Sequence, residues 1–288
     1  MSSAQGLPPR VVVYTPQAVL RAPGTMFREM LADLRRSREL AWRLANRDIR
    51  AQYRGSFLGY LWAFITPLVN TAMWVFMSAS GVIKVEVPDL PYPVFVFTGT
   101  MLWQVFTESI TMPQMQVSAS KSMVAKLNFP REALLLSGLY KVFFGVLIKL
   151  VVLVPVVLLF GIVPDAHLAL VPVAMVALVL AGMSIGLLLV PVGTLYSDVG
   201  RFVPMATQFL MYLTPVVYAM PKLGILAKLF GANPITPLIL NGRAWLTGGA
   251  TPMPYQFIAV VAGSLVLLLI GWVLFRLAMS VIVERMGS

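Results

Sequence analysis

The stretch SGLYKVFFGVLIKLVVLVPVVLLFGIVPDAHLALVPVAMVALVLAGMSIGLLLVPVGTL, residues 137–195, decides the fold. It holds two apolar blocks, 137–163 and 168–195, separated by the four residues PDAH. A hydrocarbon core needs about 20 consecutive apolar residues to be crossed by a helix. Both blocks exceed that length, and the second carries no charge. Strands of a membrane barrel alternate apolar and polar residues over about ten positions; these blocks do not alternate. Lipid offers the backbone no hydrogen-bond partner, so each block is expected to be a helix.

Working outward, the same pattern recurs. The 288-residue chain is 59% hydrophobic and 11% charged, whereas a soluble domain carries about 25% charged residues. Further apolar segments fall at 56–83, 93–112, 202–220 and 257–275, with Pro67 placed to kink the first. The chain therefore reads as an all-α membrane protein with six transmembrane helices spread over 56–288. The segment 221–254 departs from the pattern. Its apolar runs, 222–230 and 235–247, are broken by Pro234, Pro237, Gly248 and Gly249. Runs this short suit re-entrant helices that dip into the outer leaflet and return.

Residues 1–26 read as a loose cytoplasmic arm without an apolar signal segment in the first ten residues. Residues 27–55 read as an amphipathic helix. Arg36, Arg43, Arg47, Arg50 and Arg54 share one face, while Phe27, Leu31, Leu34, Ala41, Ala45 and Ile49 fall on the other. That profile suits a helix lying in the membrane interface. Of the 22 Lys and Arg residues, 17 fall on the side of this helix, four on the other, and Lys149 lies within a span. Positive charge gathers on the cytoplasmic side, so both termini are expected in the cytoplasm, with the protein in the cell inner membrane. The net charge of +11 is then explained by basic cytoplasmic segments, and no nucleic-acid partner is expected.

The stretch LANRDIRAQYRGSFLGYLWAFITPLVN, residues 44–70, resembles the approach to the first span of polysaccharide-export permeases of the type-2 ABC exporter family, which serve O-antigen, capsule and teichoic acid export. Arg47, Asp48, Ile49, Arg50, Tyr53, Leu58, Gly59, Leu61, Trp62 and Ala63 carry the likeness, with Pro67 one residue closer to Ala63 than the pattern has it. NFPRE (128–132), YSDVGRFVP (196–204), TPVVY (214–218) and ANPITPLILNGRAWLTGG (232–249) are similar to further segments of that family, in the same order. The resemblance implies a homodimer of permeases with two copies of a separate ATP-binding cassette ATPase, moving a lipid-linked polysaccharide. The chain has no G-x-x-x-x-G-K-[ST] loop to cradle phosphates. No cofactor is expected in this chain; ATP and Mg would be bound by the partner subunit.

The resemblance makes residues 118–132 the coupling loop that receives the ATPase's movement. A short amphipathic helix there can seat in a partner's groove, with Lys121, Met123, Lys126, Phe129, Arg131 and Glu132 as its candidate contacts. Arg47, Arg50 and Arg54 are candidates for lipid headgroups, either anionic membrane lipid or the pyrophosphate of a glycan carrier, because Arg binds phosphate bidentately. Sugar rings present apolar faces and many hydroxyls. The resemblance places spans one and five along the conduit, where Tyr60, Phe64, Thr71, Trp74, Gln208, Phe209 and Tyr212 are candidates for the substrate path. Two charges, Glu108 and Lys149, lie inside expected spans, toward their cytoplasmic halves, and are expected to pair unless Lys149 snorkels inward.

Cysteine is absent, and the single histidine, His167, sits beside Asp165 in a short loop, so no metal site is expected. No nucleophile elbow, H-E-x-x-H motif or carboxylate cluster points to catalysis; the chain reads as a permease and not an enzyme. The competing readings are a type-2 ABC permease for a drug or lipid, a secondary transporter, and a membrane transferase acting on lipid-linked sugars.

Overall fold

A computed structural model describes residues 23–82, 90–120, 123, 129–162, 165–220 and 224–287. Lys121 and Lys126 lie outside the described residues. Those described form helices without strands: α1 (Pro23–Arg36), α2 (Arg38–Tyr53), α3 (Trp62–Ala79), α4 (Tyr92–Ala119), α5 (Glu132–Leu159), α6 (Val171–Leu195), α7 (Val199–Tyr212), α8 (Gly224–Ala232), α9 (Ile235–Thr247) and α10 (Pro254–Gly287). Short 3₁₀ turns, Gly59–Leu61 and Ala166–Leu170, lead into α3 and α6.

The single helix expected over 27–55 is two helices meeting at Ser37. The hydrogen-bond ladder nevertheless continues through that residue, from Ser37 N to Asp33 O and from Ala41 N to Ser37 O, both 2.8 Å. Small and apolar residues of α2, namely Ala41, Leu44 and Ala45, are buried against the bundle. Phe27 and Leu31 of α1 remain outward.

Among the described residues, four helical segments are long and apolar enough to cross a membrane: Gly59–Ala79, Glu132–Leu159, Ala166–Leu195 and Pro254–Met279. The expected second and fifth spans differ for separate reasons. Helix α4 has 28 residues, about 42 Å of helix, but carries Gln104, Glu108, Gln114 and Gln116. It is the centre of the bundle, packed by α3, α5, α6, α7 and α9, so its polar side chains meet protein where a peripheral helix would meet lipid. Helix α7 has only 14 residues, about 21 Å, and ends in an irregular turn after Tyr212 where the sequence suggests an apolar run to residue 220. Helices α8 and α9 are short, as expected of 221–254. Gly248, at φ +73°, closes α9 in the left-handed conformation that a side chain would strain.

Helices α4 and α6 approach each other closely. Gly182 and Gly186 stand one turn apart on α6; a Cβ on Gly182 would lie 2.5 Å from Ser109 Cβ, and one on Gly186 would lie 2.5 Å from the Ile110 carbonyl oxygen. Small residues at this spacing let two backbones meet without a hydrophobic driving force between them. A second apolar cluster, at the end where α1 and α2 sit, joins Leu44, Val117, Leu134, Leu187, Val190, Phe275 and Met279 from five helices.

Candidate functional site

A groove of about 520 Å³ opens between α3, α4 and α7. Helix α3 contributes Asn70, Met73 and Trp74; α7 contributes Pro204, Thr207, Gln208, Met211 and Tyr212. Helix α4 supplies Thr100, Trp103, Gln104, Thr107, Glu108 and Thr111. Of the expected path residues, Trp74, Gln208 and Tyr212 line this groove. The others lie elsewhere. Tyr60 stacks on Tyr53 at 4.2 Å between ring centroids and meets Phe144 edge-on. Phe64 packs against the core. Thr71 is buried with its hydroxyl unpaired, and Phe209 points outward from α7.

Beyond Glu108, the α4 residues of this wall are not among those expected from the sequence. Thr100, Gln104, Thr107, Glu108 and Thr111 recur at helical spacing, a polar stripe inside an otherwise apolar segment. Such residues within a membrane helix face protein or a polar cavity.

Glu108 and Lys149 do pair: Lys149 Nζ donates to both Glu108 carboxylate oxygens at 2.8 Å. The Lys149 side chain is 8% exposed and that of Glu108 42%, so the ammonium lies behind the wall and the carboxylate at the groove. Gly145 leaves the room for this; a Cβ there would come within 3.2 Å of Glu108 Oε2. Lys149 sits just past the middle of α5 (Glu132–Leu159), not in the half nearest α2 as expected.

Helix α2 is tied to the bundle by polar contacts. Gln116 Nε2 donates to Asp48 Oδ2 at 3.0 Å and to Ser137 Oγ at 3.2 Å. Lys141 Nζ donates to Gln116 Oε1 at 3.1 Å and lies 3.6 Å from Asp48 Oδ2. Arg47 donates to Asp48 Oδ1. Partial burial raises the Asp48 pKa, but the hydrogen bonds from Gln116 and Arg47 and the charges of Lys141 and Arg47 outweigh it. The carboxyl stays below its ordinary 3.8. Arg47, Arg50 and Arg54 are all exposed on α2 and just past its end, with Arg50 Nε donating to Asn46 Oδ1.

At the same end Arg276 of α10 gathers three carboxylates: Glu132 Oε1 at 2.9 Å, Asp33 Oδ2 at 3.0 Å and Glu29 Oε2 at 3.5 Å. Glu132, expected at the coupling surface, is 4% exposed and faces inward, joining α5 to α1 and α10. Arg131 occupies the N-cap position of α5. Met123 and Phe129 rest against the second apolar cluster.

At the far end the two motifs TPVVY and ANPITPLILNGRAWLTGG meet. Arg243 Nη1 donates to Pro215 O at 2.9 Å and its Nη2 to Val216 O at 2.5 Å. The guanidinium also lies 3.6 Å over the Phe95 ring. Asn233 Nδ2 donates to Leu213 O and Thr214 Oγ1, and Tyr218 OH donates to Tyr212 O. Asn241 exchanges hydrogen bonds with the Met253 backbone. Tyr218 and Asn233 thus take the carbonyls at the end of α7, and Arg243 those of the turn that follows.

A family model described as ABC-2 type transporter matches residues 39–244. The chain is 26% identical, over 220 residues, to an O-antigen export system permease protein RfbA of Klebsiella pneumoniae, covering 76% of this chain and 83% of the relative. A second K. pneumoniae protein of that name is 25% identical over 235 residues, 81% of this chain and 89% of the relative. An O-antigen export system permease protein RfbA of Myxococcus xanthus is 24% identical over 242 residues, 83% of this chain and 92% of the relative.

Proposed function

Because the chain belongs to the ABC-2 type transporter family, we propose that it is the membrane-spanning permease of an ATP-driven exporter of lipid-linked, O-antigen-like polysaccharide. The observation that carries the cargo is the groove between α3, α4 and α7, a polar and aromatic surface inside an apolar bundle. Relatives that match over most of their length are named as O-antigen export permeases. Amides and hydroxyls suit sugar hydroxyls, and Trp74 and Tyr212 offer faces to sugar rings.

A homodimer completes this reading. Leu61, Trp62, Leu68, Val69 and Phe76 are exposed along and before α3, beside the groove, and a second copy would cover them. ATP and Mg belong to a separate ATP-binding cassette subunit, which would engage the stretch 118–132 beside Met123 and Phe129. The exposed Arg47, Arg50 and Arg54 would hold a lipid pyrophosphate at the basic end, in the cytoplasmic leaflet of the inner membrane, with both termini in the cytoplasm. Helices α8 and α9 would sit in the outer leaflet. The excess of Lys and Arg on the α1–α2 side supports that orientation.

Reconstitution tests the reading. The chain co-purified with a cognate ATPase in proteoliposomes should show ATPase activity stimulated by a polyprenyl-pyrophosphate-linked glycan, with glycan appearing on the opposite face. Stimulation by lipids or drugs and not by the glycan would overturn it.

A further inference from the structure

Four of the five hydroxyls that line the groove, all but that of Tyr212, present themselves as hydrogen-bond acceptors. Thr100 donates its hydroxyl proton to Val96 O at 2.8 Å, Thr107 to Gln104 O at 3.2 Å, Thr111 to Thr107 O at 3.2 Å and Thr207 to Pro204 O at 2.9 Å. Each proton turned back into its own helix leaves oxygen lone pairs for whatever occupies the groove. The charged side chain among the lining residues is Glu108. Its counter-ion Lys149 approaches from behind, so the groove meets the negative end of the pair.

We propose that Glu108 and these threonine oxygens make the groove a charge filter that admits neutral, hydroxyl-dense glycan segments and rejects acidic ones carrying uronate. The inference rests on the groove being the glycan path. Sugar hydroxyls are donors and match acceptor-rich walls. A uronate carboxylate would find the Glu108 carboxylate facing it and no cation among the lining residues to offset that charge; the donors there, the Trp74 and Trp103 indoles, the Tyr212 hydroxyl and the amides, are neutral. Like charges brought together out of bulk water cost enough to decide between cargoes. The amides of Asn70, Gln104 and Gln208 can turn to serve either role and carry no net preference.

The test uses the reconstituted permease–ATPase complex and two probes on the same polyprenyl pyrophosphate, a neutral mannan and a polyuronate of similar length. The wild type is expected to export the mannan at least about tenfold faster. The E108Q/K149M double variant should bring the two rates within about twofold, and E108K/K149E should reverse the preference. In the wild type, rejection of the polyuronate should relax as salt is raised, since charge repulsion is screened; this reading does not depend on any variant folding. Equal wild-type rates, a salt-independent preference, or a preference retained in E108Q/K149M overturns the filter. Gln208→Trp, which fills the groove, separates the two claims. If it stops both probes, the conduit stands whatever the charge variants show; if both probes still pass, the conduit reading itself falls and the filter with it.

Discussion

Glu108 and Lys149 show how a single residue's cost is offset by position. A buried ammonium left alone is destabilising by about 3–5 kcal/mol, and Lys149 has the Glu108 carboxylate at 2.8 Å to prevent that. Glu108→Ala alone is therefore expected to lower the unfolding temperature in detergent more than the E108Q/K149M pair does. Equal losses would mean that the ion pair contributes nothing. Asp48 gives a second prediction with a sign. A carboxylate held below its free value of 3.8 adds stability that is complete above that value and is lost as pH falls through the lower, folded one. Docking of α2 should hence persist at pH 5 and loosen only below the ordinary carboxylate range. Asp48→Asn should cost about 1–2 kcal/mol at neutral pH, since charged hydrogen bonds are involved but the site is partly exposed. Hydrogen exchange across 38–53 would read both effects, and loosening already at pH 5 would contradict the account.

Among the elements, the apolar blocks that became α3, α5, α6 and α10 were legible from length and composition, because lipid imposes a long uninterrupted apolar stretch on any helix it surrounds. Helix α4 was legible as a helix, but its polar stripe of Thr100, Gln104, Thr107, Glu108 and Thr111 has meaning only once α3 and α7 stand opposite. The early end of α7 is masked by the apolar Leu213, Val216 and Val217, although Pro215 among them is a stop signal that the apolar run hides, since proline disfavours helix at the residue before it and brings no N–H to the ladder. Distant partners then hold the turn: Asn233 takes the Leu213 carbonyl and Arg243 those of Pro215 and Val216. Likewise Phe64 and Phe209 share residue type with the groove's aromatics, and only packing separates them. Two predictions belong here. Gly182→Leu should push α4 and α6 apart, costing about 1–3 kcal/mol or more through overpacking, read as a lowered unfolding temperature. Arg243→Lys should free the turn at 213–218, because an ammonium cannot span both the Pro215 and Val216 carbonyls as the planar fork does. A cysteine placed at Val217, buried in the folded chain, should label faster in that variant. Unchanged labelling would show the clamp to be dispensable.

At the scale of the whole molecule, the bundle has two differently built ends and a groove between them. At the basic end, α1, α2, α5 and α10 are fastened by Arg276 and Asp48 around an apolar cluster. At the far end, short helices brace an irregular turn. Helices α4 and α5 run from the basic end to the groove wall, where they carry Glu108 and Lys149. The most direct test of the central claim is photocrosslinking during turnover. A photoreactive phenylalanine analogue would replace Gln208, which lines the groove, or its neighbour Phe209, which points away from it. With radiolabelled lipid-linked glycan and ATP, the account predicts sugar adducts from position 208 and none above background from position 209. Adducts of equal yield at both, or at 209 alone, would show that the glycan does not pass between α3, α4 and α7.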